Sequence, residues 1–142
     1  MNFRVNSNEQ GQSLVESALT IPLVLLLIFV FLDLGRAIYF YSALANSVRE
    51  GARFASVTPL NYLDVSETNT VEDKVIHYSV ALDLTYDDVV VARTGADDEL
   101  VTVSASYNFN PITPFLAQML SSGPGITLNA ETTMLLAPIA RN

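Results

Sequence analysis

The chain has 142 residues, enough for one membrane element and one small domain, and half of them are hydrophobic. Mean hydropathy is +0.34, with the apolar excess concentrated in the first 57 residues, while the whole net charge of −8 lies after residue 63, where eleven acidic residues face Lys74, Arg93 and Arg141. An acidic domain argues against nucleic-acid binding, which needs Lys and Arg against phosphate, and the absence of cysteine excludes disulfides, thiolate metal sites and a cysteine nucleophile.

After a short polar start, Gly11-Gln12-Ser13-Leu14-Val15-Glu16 leads into sixteen uncharged residues, Ser17 to Leu32. A bilayer crossing takes about 20 residues as a helix, a length reached here only by including Glu16. Three readings compete: a cleaved secretory signal, a buried core helix, and a transmembrane helix that continues outward as a stalk. The flanks disfavour the first, since only Arg4 is basic upstream and Asp33-Leu34-Gly35-Arg36 is no small-residue cut site. The second would need more protein to cover it than this chain supplies. Pro22 removes one helix hydrogen bond but is tolerated in membrane helices. The Lys and Arg flanking the run are Arg4 before it and Arg36, Arg49 and Arg53 after it. By itself that count places the C-terminal side in the cytoplasm. Asp33 and Arg36, three apart, can pair on one helix face.

The next stretch, Ala37 to Ala55, superposes two patterns. Ile38, Tyr41, Ala45, Val48, Ala52 and Ala55 form a heptad-like seam. Ala43, Ser47, Gly51 and Ala55 place a small residue at every fourth position, which permits close helix packing. One face is expected to cover the chain's own sheet, and the second predicts a partner helix.

Beyond Pro59, Thr70-Val71-Glu72-Asp73 resembles a capping box. Val71, Val75, Tyr78 and Leu82 then predict a one-sided helix to about Asp83. Asp87-Asp88 reads as a turn, Val89 to Arg93 as a strand, and Gly95-Ala96-Asp97-Asp98 as a hairpin loop. Leu100 to Phe109 alternates, with Val101, Val103, Ala105, Tyr107 and Phe109 on one side. Pro111 to Leu120 predicts a short helix or irregular crossover, closed by Ser121-Ser122-Gly123-Pro124-Gly125. Ile126, Leu128, Ala130, Thr132, Met134 and Leu136 then mark a last strand. The expected fold is α+β: a long transmembrane and stalk helix packed on a second helix and a mainly antiparallel sheet of about three strands.

Residues for catalysis are sparse. His77 is the only histidine, and one imidazole without other ligands is no metal site. Asp87-Asp88 and Asp97-Asp98-Glu99 lack the alternation and glycine of a calcium loop. No phosphate-cradling loop or nucleophile elbow is present, so no enzyme, metal or cofactor is expected.

Gly11-Gln12-Ser13-Leu14-Val15-Glu16, the apolar run, Asp33-Leu34-Gly35-Arg36-Ala37 and Arg49-Glu50-Gly51-Ala52-Arg53 together closely resemble the TadE-like family of pseudopilins. These are minor pilin-like proteins of the tight-adherence (Flp-type) pilus system. The specific part of the resemblance runs from Glu9 to about Ser56; beyond it only the layout is similar, including Pro111-Ile112-Thr113-Pro114. The resemblance implies a leader over 1–11, a transmembrane helix over 12–33, a stalk over 34–58 and a small extracytoplasmic domain over 59–142. A membrane-embedded prepilin peptidase would cut after Gly11, leaving Gln12 as first residue. Glu16 would then meet the amino terminus of a neighbouring subunit during assembly. The implied partners are that peptidase, other pilins or pseudopilins, the pilus assembly platform and membrane lipid. The implied location is the cytoplasmic membrane, with the acidic domain outside and incorporation into an extracellular pilus. Asp33, Arg36, Arg49, Glu50 and Arg53 are the remaining motif residues. The competing function is an uncleaved single-pass scaffold whose outer domain binds an envelope component. An exported binding domain with an ordinary cleaved signal is the third.

Overall fold

A computed structural model describes residues 7–57, 65–94, 99–113, 118 and 125–137. The first element, α1, is one unbroken helix of 51 residues, Ser7–Val57, about 76 Å long at 1.5 Å per residue. Pro22 lies inside it. There the ring only deprives the Ala18 carbonyl of its partner, and the surrounding Leu, Ile and Val carry the helix on.

α1 has two regimes. Every residue from Gly11 to Phe29 is exposed, and the most apolar 18-residue window is 0% buried. That excludes the buried-core-helix reading. The helix is long and apolar enough to cross a bilayer, and serves as a single-pass membrane anchor. From Phe40 onward the same helix enters the core of the head. Leu44, Val48, Ala52 and Ala55 are buried there with Val71, Val75, Val89, Val101, Val103 and Ala105. Stalk and head are therefore one packed unit.

The second helix, α2, spans Val65–Tyr78, which corrects the expected bounds at both ends. The capping-box pattern at Thr70 lies inside the helix, five residues after its start. At the other end, the Ser79 N–H donates to the carbonyls of both Val75, at 3.0 Å, and Ile76, at 3.3 Å. The Ser79 hydroxyl donates to the Ile76 carbonyl at 2.7 Å. A serine that engages the last carbonyls in this way ends a helix. The Leu82 N–H closes a turn onto the Ser79 carbonyl at 2.8 Å, with Ala81 in the left-handed region at φ 76°. Leu82 thus reaches the core from a turn and not from the fourth turn of a helix.

A single 3₁₀ turn, Tyr86–Asp88, opens the sheet. Asp88 Oδ2 accepts from the Thr85 N–H at 2.9 Å and the Thr85 hydroxyl at 2.8 Å, so one of the acidic pair is a capping residue. Strands β1 (Val89–Thr94), β2 (Leu100–Phe109) and β3 (Ile126–Leu135) form a three-stranded antiparallel sheet in order β1-β2-β3. The hairpin loop expected at 95–98 lies outside the described residues, bracketed by the pair Thr94↔Leu100. Most of the 111–124 crossover also lies outside them. In β2 the alternation is realised: Val101, Val103, Ala105 and Phe109 are buried against α1 and α2, while Thr102 and Ser104 face away. There the Thr102 and Thr133 hydroxyls bond across strands at 2.9 Å.

Candidate functional site: the processing segment and the anchor–head junction

Gly11, Gln12, Val15, Glu16, Leu19 and Thr20 line one open face near the start of α1. Gly11 stands in open space; a Cβ there would meet nothing within 4 Å. The helix runs through the Gly11–Gln12 bond without a break. Proteolysis at that bond requires a local unwinding, for which glycine is suited, since it favours the helix about 1 kcal/mol less than alanine. The Glu16 carbonyl accepts the Thr20 hydroxyl at 2.8 Å. Among the described residues no ion pair engages the Glu16 carboxylate.

At the other end of the apolar run, the chain has built a polar clamp. Asp33 is only 1% exposed. Its Oδ1 accepts the Ile112 N–H at 2.9 Å, and its Oδ2 accepts the Thr113 N–H at 2.8 Å and the Thr113 hydroxyl at 2.6 Å. Arg36 Nη1 completes the set, 3.3 Å from Oδ1. The expected Asp33–Arg36 pair is present, and the larger role of Asp33 is to receive the loop after β2. A buried carboxylate is costly unless its oxygens are satisfied, and here four donors satisfy them. The Arg36 guanidinium lies over Phe40, at 5.6 Å from the ring centroid, and over Phe109, at 5.3 Å. It joins the clamp to the aromatic layer in which Phe40 contacts Tyr107 and Phe109.

The small-residue row turns inward. Ser47, Gly51 and Ala55 are buried and Ala43 is half-buried. A Cβ on Gly51 would collide with Val75 Cγ2, so the close approach this glycine permits is made to α2 of the same chain. Along the heptad-like seam, Val48, Ala52 and Ala55 are likewise covered, and Ile38 and Tyr41 remain exposed. The head covers both patterns in its upper part because α2 and the sheet wrap different sides of α1. Glu50 Oε2 pairs with Arg53 Nε at 2.9 Å, an exposed bridge worth little on its own. Arg49, one turn before Arg53 on the same helix, is also exposed.

Sequence reasoning missed Ile112 and Thr113 as partners of Asp33. The only signal was a threonine and two free N–H groups close to two prolines, in the segment Pro111-Ile112-Thr113-Pro114. His77 is exposed, with its ring against Tyr78, and among the described residues no group of three or more His, Asp or Glu could hold a metal.

No curated protein and no solved structure matches the chain. The TadE-like protein family matches at residues 11–53, from the exposed glycine to the arginine paired with Glu50. Over its anchor and stalk, this chain is similar to TadE-like proteins, and the match stops before α2 and the sheet of the head.

Proposed function

We propose that this chain is a non-catalytic, pilin-like structural subunit of a tight-adherence pilus. A prepilin peptidase cuts it after Gly11, and it assembles with other pilins or pseudopilins through its exposed helix. The head lies outside the cytoplasmic membrane, where the pilus serves adhesion and biofilm formation. The TadE-like match supports a role in the Tad pilus system. The observation that carries the reading is the division of α1. One continuous helix leaves its apolar N-terminal part wholly exposed, with Gly11 and Glu16 on it, and uses its C-terminal part as the core of a small head. A helix of that kind can move from lipid into a helical bundle without refolding the head. After cleavage, Glu16 lies one turn from a new α-amino group. A carboxylate at the edge of the apolar layer gains from such a cation.

The test is the mature N-terminus. Mass spectrometry of the native protein is expected to find a chain beginning at Gln12, and an intact Met1 would overturn the processing claim in favour of an uncleaved scaffold. The assembly claim is separate: Glu16→Ala is expected to be cut normally and to be lost from sheared filaments.

A further inference from the structure

The apolar run and the head are not separated by a spacer. Among residues 11–32, Val30 alone is half-buried, and burial continues three residues on at Asp33. Helix side chains lean toward the N-terminus, so the Asp33 carboxylate reaches back over the last apolar turn. The two N–H groups and the hydroxyl it accepts hold residues 112 and 113 at that level. Only the backbone of Ile112 is used in the clamp. The residue is 64% exposed, an aliphatic group beside the end of the anchor. Arg36 stands on the same side, and Leu34, Ile38 and Tyr39 are exposed on the flanking turns. An apolar group at that depth with a cation and a tyrosine just above it is the composition of a bilayer's interfacial layer.

We infer that the Pro111–Thr113 loop is a second membrane contact, with Ile112 seated in the interfacial layer of the bilayer that α1 crosses. The inference rests on reading α1 as membrane-spanning. The occupant it commits to is lipid, because the clamp fixes the loop to the last turn of the lipid-facing run. Contact there gives the head a fixed tilt and height, where a single helix alone would let it swivel.

The chain has no cysteine, so single-cysteine variants of the full protein can be spin-labelled in nanodiscs of phosphatidylethanolamine and phosphatidylglycerol, one copy per disc. Accessibility to oxygen and to a water-soluble nickel chelate reports depth. The variants are Ile112→Cys, Leu25→Cys inside the run, Leu32→Cys at its end, and Val90→Cys on the outer sheet face, where Val90 is 58% exposed. The expected oxygen-to-nickel ratio at 112 is within about twofold of that at 32 and several-fold above that at 90. A ratio at 112 equal to that at 90, with 25 still in lipid, overturns the loop contact and leaves the anchor standing. A water-exposed label at 25 overturns both. A label at 112 shielded from both reagents marks a protein contact and also overturns the inference.

Discussion

The Asp33 carboxylate and the Thr113 hydroxyl meet at 2.6 Å across 80 positions of chain. This is the contact that ties the head to the lip of the anchor. Asp33→Ala strands two backbone N–H groups and a hydroxyl, each costing about 1–3 kcal/mol when left buried and unpaired. Asp33→Asn keeps the shape but turns one acceptor into a donor. Both variants are expected to destabilise the head, alanine by about 3 kcal/mol or more and asparagine by less. Hydrogen exchange followed by mass spectrometry checks this: the peptide containing Ile112 and Thr113 should lose protection first, and unchanged protection would show the clamp to be energetically idle. Thr113→Val in the Asp33→Asn background should add less than it does alone, since the two act on one network.

Gly51 leaves no room for a side chain between α1 and Val75 of α2. Gly51→Ala gains about 1 kcal/mol of helix propensity and drives a methyl into Val75, an overpacking that costs about 1–3 kcal/mol in tightly filled cores. The expected balance is a loss of about 1 kcal/mol of unfolding free energy, read as a lower denaturant midpoint of the detergent-solubilised protein at unchanged m. Val75→Ala should recover part of that loss in the double variant. A Gly51→Ala protein more stable than the parent would mean that α2 yields easily.

The Tyr86 hydroxyl donates to Asp73 Oδ1, joining the 3₁₀ turn to α2. The hydrogen bond to Asp73, then the negative charge of Asp73, hold the Tyr86 phenol above its ordinary value of 10.0. Because the protonated phenol is the favoured partner, its contribution to folding is complete below that ordinary value. The contribution is lost as pH rises through the elevated one. Tyrosinate absorbance is expected to show one phenol titrating late. Asp73→Asn should bring it down by removing the charge, and Tyr86→Phe should delete it from the titration.

The sheet was legible because its physics is local and periodic. In β2 a polar residue follows each of Val101, Val103 and Ala105, a pattern only a strand with one buried face needs. The apolar anchor was legible for the same reason. The ends of α2 were not. Thr70 imitates a cap, but the helix is already under way, and Leu82 keeps helical spacing from Tyr78 while being delivered by a turn with Ala81 at positive φ. The inward use of Gly51 depends on Val75, and the clamp on Asp33 depends on Thr113. A helix face of small residues suits a neighbour from its own chain or from another, and the threonine between two prolines offers donors without naming the carboxylate 80 positions away.

That clamp also has a consequence in time. Ribosomes add about 5–20 residues per second, so the 80 positions between Asp33 and Thr113 take about 4–16 s to synthesise. Through that interval α1 is already made, and its carboxylate waits at the lip of the apolar run without its loop. β3, the strand paired with β2 along its whole length, is made last of all. The head therefore cannot close fully around α1 until β3 has been made, long after the helix it encloses.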